Sequence, residues 1–217
     1  MTRRALVLCP GRGSYGRAQL GTLQDRSSAF LDAFDAHRAN LGRPTVRDLD
    51  AAERYSARRH IAGEHASILT AGYALADFEA IDTDKLHIVG ICGNSMGWYT
   101  ALAAAGSLDP RDAATLVETM GAFQTDNVIG GQILYPVVGD DWRPAPELQA
   151  LVDAAVADIP DLHWSIRLGG QAVLGGTDDA LRAAQAQLPA LERGVARYPL
   201  KLPLHSAFHT PLLSGTR

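Results

Sequence analysis

The chain has 217 residues, of which 47% are hydrophobic and 20% charged, and its formal net charge at pH 7 is −4. A chain of this size can bury a substantial core in one or two domains, and its mild acidity gives no electrostatic footprint for nucleic acid. The two cysteines, Cys9 and Cys92, suggest no disulfide framework. Because no segment resembles an export signal or approaches membrane-spanning length, we expect a cytoplasmic protein that binds neither nucleic acid nor membrane.

The first half of the chain alternates between predicted strands and helices. Strands are predicted over 5–9 and 86–92, and helices over 29–41, 61–78, about 98–105 and 112–123. A Gly-rich loop follows the first strand, and residues 49–59 are expected to form a polar connection. Strand–helix alternation of this kind favours a parallel sheet covered by helices.

From Val128 the pattern changes to the order β-α-β-β-α-β. Strands are predicted over 129–138, 163–168, 171–174 and 196–204, and helices over 146–159 and 178–191. This order is typical of a ferredoxin-like unit. We therefore predict an α/β protein with two domains: a large domain formed by 1–127 plus 204–217, and a small ferredoxin-like domain formed by 128–203.

The segment Gly93-Asn94-Ser95-Met96-Gly97 lies between a predicted strand and a predicted helix. A G-x-S-x-G in this position is typical of a nucleophile elbow, whose two glycines permit a turn too tight for side chains. Ser95 is then the candidate nucleophile, and the Met96 N–H can stabilise an oxyanion at the helix N-terminus. The alternative is a Gly-rich turn in which the serine caps the helix.

A nucleophilic serine needs a base, and the seven histidines differ in their settings. His37, His60 and His65 lie in polar, Arg-rich stretches that are predicted to be helical, so we expect them at the surface. His205 and His209 lie where an apolar strand runs into a turn, and either can serve as the base. Their i, i+4 spacing resembles a metal pair, but no helix is predicted there and no carboxylate is nearby, so no metal is expected.

Four short blocks of the sequence follow one another in a characteristic order. They are PGRGS at 10–14, GNSMGWYTAL at 93–102, LVETMGAF at 116–123 and SAFH at 206–209. These blocks resemble P-G-Q-G-S, G-H-S-x-G-E-Y-x-A-L, L-V-x-x-R-G-x-F and H-A-F-H of the malonyl-CoA:acyl-carrier-protein transacylases and the acyltransferase domains of polyketide synthases. The resemblance extends over nearly the whole chain. It implies an α/β-hydrolase-like large domain, whose C-terminal part is missing here, with an inserted ferredoxin-like small domain.

The resemblance also implies an activity. Ser95 would attack a thioester, and the thiol of an acyl carrier protein would collect the acyl group in polyketide or fatty-acid biosynthesis. By the same resemblance His209, rather than His205, is the general base, and the Arg12 backbone N–H joins that of Met96 in an oxyanion hole. The donor would be an acyl-CoA or an acyl-carrier-protein thioester, so coenzyme A or phosphopantetheine enters as substrate and no cofactor is implied.

Three departures from the family's blocks concern the acyl pocket. Met120 stands where the family has the arginine that receives the carboxylate of malonyl groups, so the resemblance implies an uncharged acyl group. Asn94 replaces a histidine and Trp98 replaces a glutamate, which favours a reshaped pocket with more apolar area. Phe208, beside the expected base, completes the residues that we assign to acyl binding.

The chain also differs from the family in length. Only 210–217 follow His209, where the family continues with further strands of the large domain and with the carbonyl that orients the histidine. We therefore expect either a fragment or a fold that a second chain completes. Two alternatives to acyl transfer remain open: a thioester hydrolase on the same scaffold, in which water replaces the carrier thiol, and a non-catalytic module that binds a carrier protein.

Overall fold

The computed structural model describes residues 2–214. They form two compact units, of which the first ends at Thr125 and the second begins at Asp126. The first unit contains strands β1 (Arg3–Cys9) and β2 (Leu86–Gly93) and helices α1 (Ala29–Asn40), α2 (Val46–Asp50), α3 (Ala57–His60), α4 (Gly63–Glu79), α5 (Gly97–Ala104) and, except for its last residue, α6 (Pro110–Asp126). Among the helices of residues 2–214, none combines the length and apolar character that a membrane span requires.

Strands β1 and β2 run parallel, as the alternation of strands and helices predicts. Their register extends from Arg3 opposite Leu86 to Cys9 opposite Gly93, with an irregularity between Ala5 and Leu6. Because the two strands end side by side, the Gly-rich loop after β1 and the G-x-S-x-G segment after β2 leave the sheet at the same edge. This edge is where ligands bind in open parallel sheets.

The core of the first unit is built from helices α1, α2 and α4. Phe34 of α1, Leu49 of α2 and Leu75 of α4 are completely buried in it. Ser28 caps the start of α1 by accepting a hydrogen bond from the Leu31 N–H, and Thr45 caps the start of α2 in a capping box. The apolar stripes of these helices therefore face a common interior, and local capping fixes where each helix starts.

The expectation that 49–59 form a polar connection is wrong in part, because α2 ends at Asp50 and α3 begins at Ala57. Helices this short show too few turns for a 3.6-residue period to be visible in the sequence. His60 also differs from the expectation, since it is 1% exposed rather than at the surface. Its ring stacks on Tyr55 with centroids 4.9 Å apart, and its Nε2 lies 3.1 Å from the Leu49 carbonyl oxygen.

The second unit contains an antiparallel sheet covered by helices. Its elements are β3 (Gly131–Pro136), α7 (Pro146–Asp158), β4 (Leu162–Leu168), β5 (Gln171–Gly176), α8 (Asp178–Gln187), β6 (Leu191–Arg193), β7 (Ala196–Tyr198), β8 (Leu200–Lys201) and a single 3₁₀ turn (Pro211–Leu213). The sheet order is β4-β5-β3-β8, and Tyr135, Val152 and Leu174 lie in its core. Apart from the hairpin β6–β7, the elements follow the predicted order β-α-β-β-α-β. The division into a large domain of 1–127 plus 204–217 and a small domain of 128–203 stays a prediction.

The predicted strand over 196–204 is divided in the structure. Its first part, β7, pairs with β6 in a hairpin whose turn contains Gly194 at φ 59°, and its second part, β8, pairs with β3. Pro199 separates the two parts, because a proline has no N–H to donate to a strand ladder. The sequence therefore indicated extended structure here but not the change of pairing partner.

One face of the two-stranded sheet carries exposed apolar side chains. Leu6, Leu8 and Val89 are 59%, 70% and 44% exposed, and β2 is the only strand that pairs with β1 within residues 2–214. Parallel sheets normally have both faces covered, and an exposed strand edge next to apolar side chains favours association. The first unit therefore presents a surface suited to contact with further polypeptide.

We expect a protein of residues 1–217 to self-associate through this surface. The double substitution Leu6→Thr and Leu8→Thr should lower the weight-average mass in sedimentation experiments at increasing concentration, because it removes apolar area and keeps β-propensity. Val195→Thr, in the exposed turn of the β6–β7 hairpin, is the matched control and should change nothing. A monodisperse wild-type monomer with cooperative unfolding would contradict this prediction.

Candidate active site

The segment 93–97 forms the tight turn that its two glycines allow. A Cβ atom on Gly93 would lie 2.1 Å from the Gly97 carbonyl oxygen, and one on Gly97 would lie 2.3 Å from the Cys9 carbonyl oxygen. Both separations are far shorter than van der Waals contact, so neither position tolerates a side chain. The Gly97 N–H closes the turn by donating to the Asn94 carbonyl at 2.8 Å.

Ser95 lies at the apex of this turn with φ 54°, in the left-handed region that non-glycine residues seldom adopt. Such a conformation costs about 1–3 kcal/mol and is concentrated at functional sites. The residue at the N-cap position of α5 is Met96, so Ser95 is not the capping serine of the alternative interpretation. The strand, strained turn and helix are those of a nucleophile elbow. The nucleophilic role of Ser95 stays a prediction.

The Gly-rich loop after β1 lies directly against this turn. A Cβ atom on Gly11 would lie 3.0 Å from the Asn94 side-chain nitrogen and 3.1 Å from the Asn94 carbonyl oxygen. The Asn94 N–H in turn points at the Cys9 carbonyl oxygen, 3.3 Å away. The structure thus brings together the two segments from which an oxyanion hole was predicted, and Arg12 follows Gly11 immediately. The assignment of the Arg12 and Met96 N–H groups to that hole remains a prediction.

The Arg12 side chain is directed toward the junction between α3 and α4. Its Nη2 donates to the Ile61 carbonyl oxygen at 2.6 Å, and burial lowers the pKa of Arg12 to about 10. The guanidinium therefore remains charged at neutral pH although it is largely removed from water. No sequence signal indicated this direction, because the family resemblance assigns a role only to the main chain of Arg12.

Met120, at the position assigned to the family's arginine, lies half-buried on α6. This helix packs closely on α4, since a Cβ atom on Gly121 would lie 3.2 Å from the Gly63 carbonyl oxygen. Trp98 on α5 is 56% exposed, and Asn94 is half-buried. The acyl-binding roles predicted for Asn94, Trp98 and Met120 are not tested by these positions.

A buried ion pair that the sequence analysis missed fixes α6 in place. The Arg38 Nη1 of α1 lies 2.8 Å from a Glu118 carboxylate oxygen, and the two side chains are 0% and 5% exposed. The same Arg38 nitrogen donates to the Glu64 carbonyl at 3.0 Å, and Arg43 contacts Glu118 at 2.5 Å. The cluster therefore ties α1, α4 and α6 together. No local pattern indicates it, because Arg38 and Glu118 are 80 positions apart.

In the second unit, residues 205–210 form a compact turn. The Ser206 hydroxyl accepts from the Ile129 N–H at 2.8 Å and donates to the Asn127 carbonyl at 3.0 Å, while the Ala207 N–H donates to the Ile129 carbonyl at 2.7 Å. Ser206, which stands where the family has a histidine, therefore anchors the turn to the chain before β3. The Phe208 ring lies beside His205, with centroids 5.9 Å apart.

His209 has the same unusual backbone as Ser95, with φ 58°. His209 is exposed, and partial burial of its imidazole lowers the pKa of His209 below its ordinary value. A lowered pKa keeps the ring neutral at pH 7, which is the form that a general base requires. Ser95 belongs to the first unit and His209 to the second. Their pairing as nucleophile and base stays a prediction.

The first unit also contains a cavity of about 340 Å³ between β1, the Gly-rich loop and α4. Val7, Leu8 and Cys9 line one side of it, and Tyr73 and Phe78 line the other. Ser95 is not among its lining residues, so this cavity is distinct from the elbow. Within residues 2–214, no group of three or more His, Cys, Asp or Glu side chains is arranged to hold a metal ion.

Sequence comparison identifies curated relatives, although no family model matches the chain. The phenolphthiocerol synthesis polyketide synthase type I Pks15/1 of Mycobacterium marinum is 26% identical over 219 residues, which cover 97% of this chain and 9% of that protein. The malonyl CoA-acyl carrier protein transacylase of Escherichia coli K12 is 31% identical over 124 residues, which cover 56% of this chain and 39% of that protein. The chain thus spans less than half the length of these curated relatives.

Solved structures share the fold over almost the whole chain. The malonyl-CoA:ACP transacylase of Synechocystis sp. PCC 6803 has a TM-score of 0.69 at 19% identity, over 98% of this chain and 66% of that chain. A malonyl-transacylase in complex with a type II polyketide synthase acyl-carrier protein gives the same four values. The acyltransferase domain of the second module of the salinomycin polyketide synthase has a TM-score of 0.66 at 21% identity, over 99% of this chain and 48% of that chain.

The fold is therefore the mixed α/β fold of acyltransferases. In sequence and in structure, the relatives of this chain are malonyl-CoA:acyl-carrier-protein transacylases and acyltransferase domains of polyketide synthases. The family resemblance carried by the four motifs is confirmed. The idea that this chain is a variant without the carboxylate-binding arginine stays a prediction.

Loss of one partner of the buried ion pair should destabilise the first unit strongly. Glu118→Ala leaves Arg38 buried without its carboxylate, which typically costs about 3–5 kcal/mol. Denaturant unfolding of the variant should show this loss in the free energy of unfolding. Asp112→Ala, at an exposed position in the first turn of the same helix, is the control and should cost no more than about 1 kcal/mol, because it removes only a favourable charge at the helix N-terminus. Similar effects of the two substitutions would show that the ion pair does not hold α6.

Proposed function

We propose that this chain is an acyltransferase module that moves an acyl group from a thioester donor to the thiol of an acyl carrier protein. The donor is an acyl-CoA or an acyl-carrier-protein thioester, and the setting is polyketide or fatty-acid biosynthesis. The observation that carries the proposal is the strained elbow at Ser95 with the Gly-rich loop packed against it. The acyltransferase relatives support it, and a neighbour solved with an acyl-carrier protein supports the choice of partner.

The proposed reaction proceeds through an acyl-enzyme on Ser95. His209 takes the hydroxyl proton as Ser95 Oγ bonds to the thioester carbonyl carbon, and the resulting oxyanion accepts hydrogen bonds from the Met96 and Arg12 N–H groups. The tetrahedral intermediate then expels the donor thiolate, which His209 protonates. In the second half-reaction the carrier thiol gives its proton to His209 and attacks the carbonyl carbon of the Ser95 ester. The bond to Ser95 Oγ then breaks, His209 returns the proton to that oxygen, and the acyl group stays on the carrier sulfur.

The preferred acyl group in this proposal is uncharged. An arginine binds a carboxylate through two parallel hydrogen bonds, whereas the Met120 thioether offers a soft apolar surface. Removing a carboxylate from water without a partner is costly, so malonyl and methylmalonyl groups should bind poorly. Trp98 would add apolar area for a longer acyl chain.

We expect incubation with an acyl-thioester to add one acyl mass to the peptide that contains Ser95. Ser95→Ala should abolish this modification, because it removes the nucleophilic oxygen, and His209→Ala should slow it about 10²–10⁴-fold. Intact-mass and peptide mass spectrometry measure both effects. Ser107→Ala, in the exposed turn between α5 and α6, is the control serine and should leave acylation unchanged.

Two results would argue against the proposed reaction. Acylation that persists in Ser95→Ala would place the nucleophile elsewhere. Rapid release of the acyl group to water in the presence of carrier protein, without formation of acyl-carrier, would favour the thioester hydrolase instead. Both are read from the same samples by following the acyl-enzyme, the acyl-carrier and the free acid over time.

Substrate choice tests the role of Met120. In a competition among equal concentrations of malonyl-, methylmalonyl-, acetyl- and butyryl-thioesters, the uncharged donors should acylate Ser95 preferentially. Met120→Arg should shift the ratio toward malonyl, because it restores a bidentate partner for the carboxylate. Met120→Leu, similar in volume and without charge, serves as the control. A wild-type preference for malonyl would show that the carboxylate is bound by another cation.

A further inference from the structure

A hydrogen-bonded network in the second unit connects the sheet to the turn that carries His209. Gln132 on β3 is 2% exposed, and its Nε2 lies 2.6 Å from the Ser165 hydroxyl and 3.3 Å from the Phe208 carbonyl oxygen. Ser165 on β4 donates to the same carbonyl at 2.8 Å. The Gln132 Oε1 faces the His205 Nδ1 at 2.7 Å. Residues from three distant parts of the chain therefore share one set of hydrogen bonds.

The chemistry of these groups leaves one consistent arrangement of protons. The Phe208 carbonyl oxygen only accepts, so the Gln132 atom that faces it is the amide nitrogen, and the amide oxygen faces His205. His205 Nδ1 must then carry a proton, and the lone pair of the neutral ring lies on Nε2. Both N–H groups of the Gln132 amide and its oxygen are used. A buried polar network satisfied in this way is rigid.

A glycine creates the space in which the turn rests on the sheet. Strand β5 lies between β4 and β3, and Gly175 of β5 is opposite Gln132. A Cβ atom on Gly175 would lie 2.7 Å from the Thr210 methyl carbon and 3.5 Å from the Ala207 Cα. The turn therefore occupies the gap left by Gly175 and is flanked by polar side chains from the strands on both sides. We call Gln132, Ser165 and Gly175 the sheet cradle.

The sheet cradle acts on the backbone beside His209. The Phe208 carbonyl belongs to the peptide bond that precedes His209, and it accepts hydrogen bonds from both Gln132 and Ser165. The Thr210 hydroxyl, on the other side, donates to the Ala207 carbonyl at 2.6 Å. A non-glycine residue at φ 58° persists only where its surroundings over-determine its conformation. The cradle supplies that constraint, and rotation of the Phe208–His209 peptide would turn the imidazole in a different direction.

We propose that the sheet cradle positions His209 for proton transfer, with Gln132 as the principal positioning residue and His205 as the donor that orients the Gln132 amide. The proposal rests on the function proposed above, in which His209 is the base. It gives His205 a role outside the chemical step. The His205 Nδ1–H holds the Gln132 Oε1, and the Gln132 Nε2 is thereby directed at the Phe208 carbonyl. An asparagine side chain carries an N–H donor at nearly the position of the histidine Nδ1, so His205→Asn provides a selective test.

The test compares single-turnover acylation of Ser95 in matched variants. Gln132→Met keeps the volume and removes every hydrogen bond, so the acylation rate should fall about 10- to 100-fold, as expected for a displaced catalytic group. The KM for the donor should change little, because Gln132 does not contact substrate in this proposal. Gln185→Met, at an exposed position of α8, is the control. An unchanged rate in a folded Gln132→Met variant would overturn the proposal.

Substitutions of His205 separate a positioning role from a chemical one. His205→Ala should lower the acylation rate as Gln132→Met does, whereas His205→Asn should retain most of the wild-type rate because its amide N–H still reaches Gln132. If His205→Asn were as inactive as His209→Ala, His205 would take part in proton transfer and the proposed role would be wrong. Ser165→Ala removes the two hydrogen bonds of the Ser165 hydroxyl but leaves Gln132 bonded to Phe208 and His205, so it should have an intermediate effect. This variant keeps the proposal testable if Gln132→Met fails to fold.

A readout independent of activity distinguishes failure of this inference from failure of the proposed function. In ¹⁵N NMR of the wild-type imidazoles, His205 should show a protonated Nδ1 and an unprotonated Nε2, and Gln132→Met should allow the other tautomer to appear. A protonated Nε2 in neutral wild-type His205 would contradict the network. If the wild type shows the expected tautomer but Ser95 is never acylated, the proposed function fails and the network stands as a structural feature.

Discussion

The site in the first unit depends on how closely two backbone segments approach each other at the end of the parallel sheet. The Cys9 carbonyl lies where a side chain on Gly97 would be, and the Gly97 carbonyl lies where a side chain on Gly93 would be. This contact holds the loop after β1 against the turn after β2 and forces Ser95 into a left-handed conformation. Without the two glycines the strands could still pair, but the loop after β1 and the turn that carries Ser95 could not approach this closely. The strain at Ser95 is thus a consequence of packing rather than a local preference of serine.

The second unit achieves a comparable result by different means. There Gly175 leaves space for a turn, and side-chain hydrogen bonds from Gln132 and Ser165 hold the Phe208 carbonyl, which directly precedes the strained residue His209. In the first unit, by contrast, a buried ion pair between Arg38 and Glu118 holds the helix that carries Met120. Three kinds of interaction therefore support the predicted site residues. Each interaction is formed inside a single unit, so the predicted site residues of each unit are supported by that unit alone.

The sequence predicted the features that are encoded locally. The elbow was predictable because G-x-S-x-G between strand and helix has one common physical explanation, and the order β-α-β-β-α-β was visible from periodicity alone. Features that depend on distant partners were not predictable: His60 was expected at the surface and Arg38 gave no signal, yet both are buried. Gln132 gave no signal at all, since its partners lie 33 and 76 positions away. The division of the last strand at Pro199 was missed because extended residues look alike whichever strand they pair with.

The way in which the turn at 205–210 is supported bears on how such proteins diversify. Every group that contacts the turn through the hydrogen bonds described above, from Asn127 to Thr210, comes after Thr125 in the chain. A gene exchange with its breakpoint near this residue would transfer His209 together with the hydrogen bonds described for its turn, and would leave the turn at 93–97 and its glycines untouched. The two halves can therefore be inherited as separate blocks. Recombination can then join a different Ser95 segment to this turn without changing the hydrogen bonds inside either one.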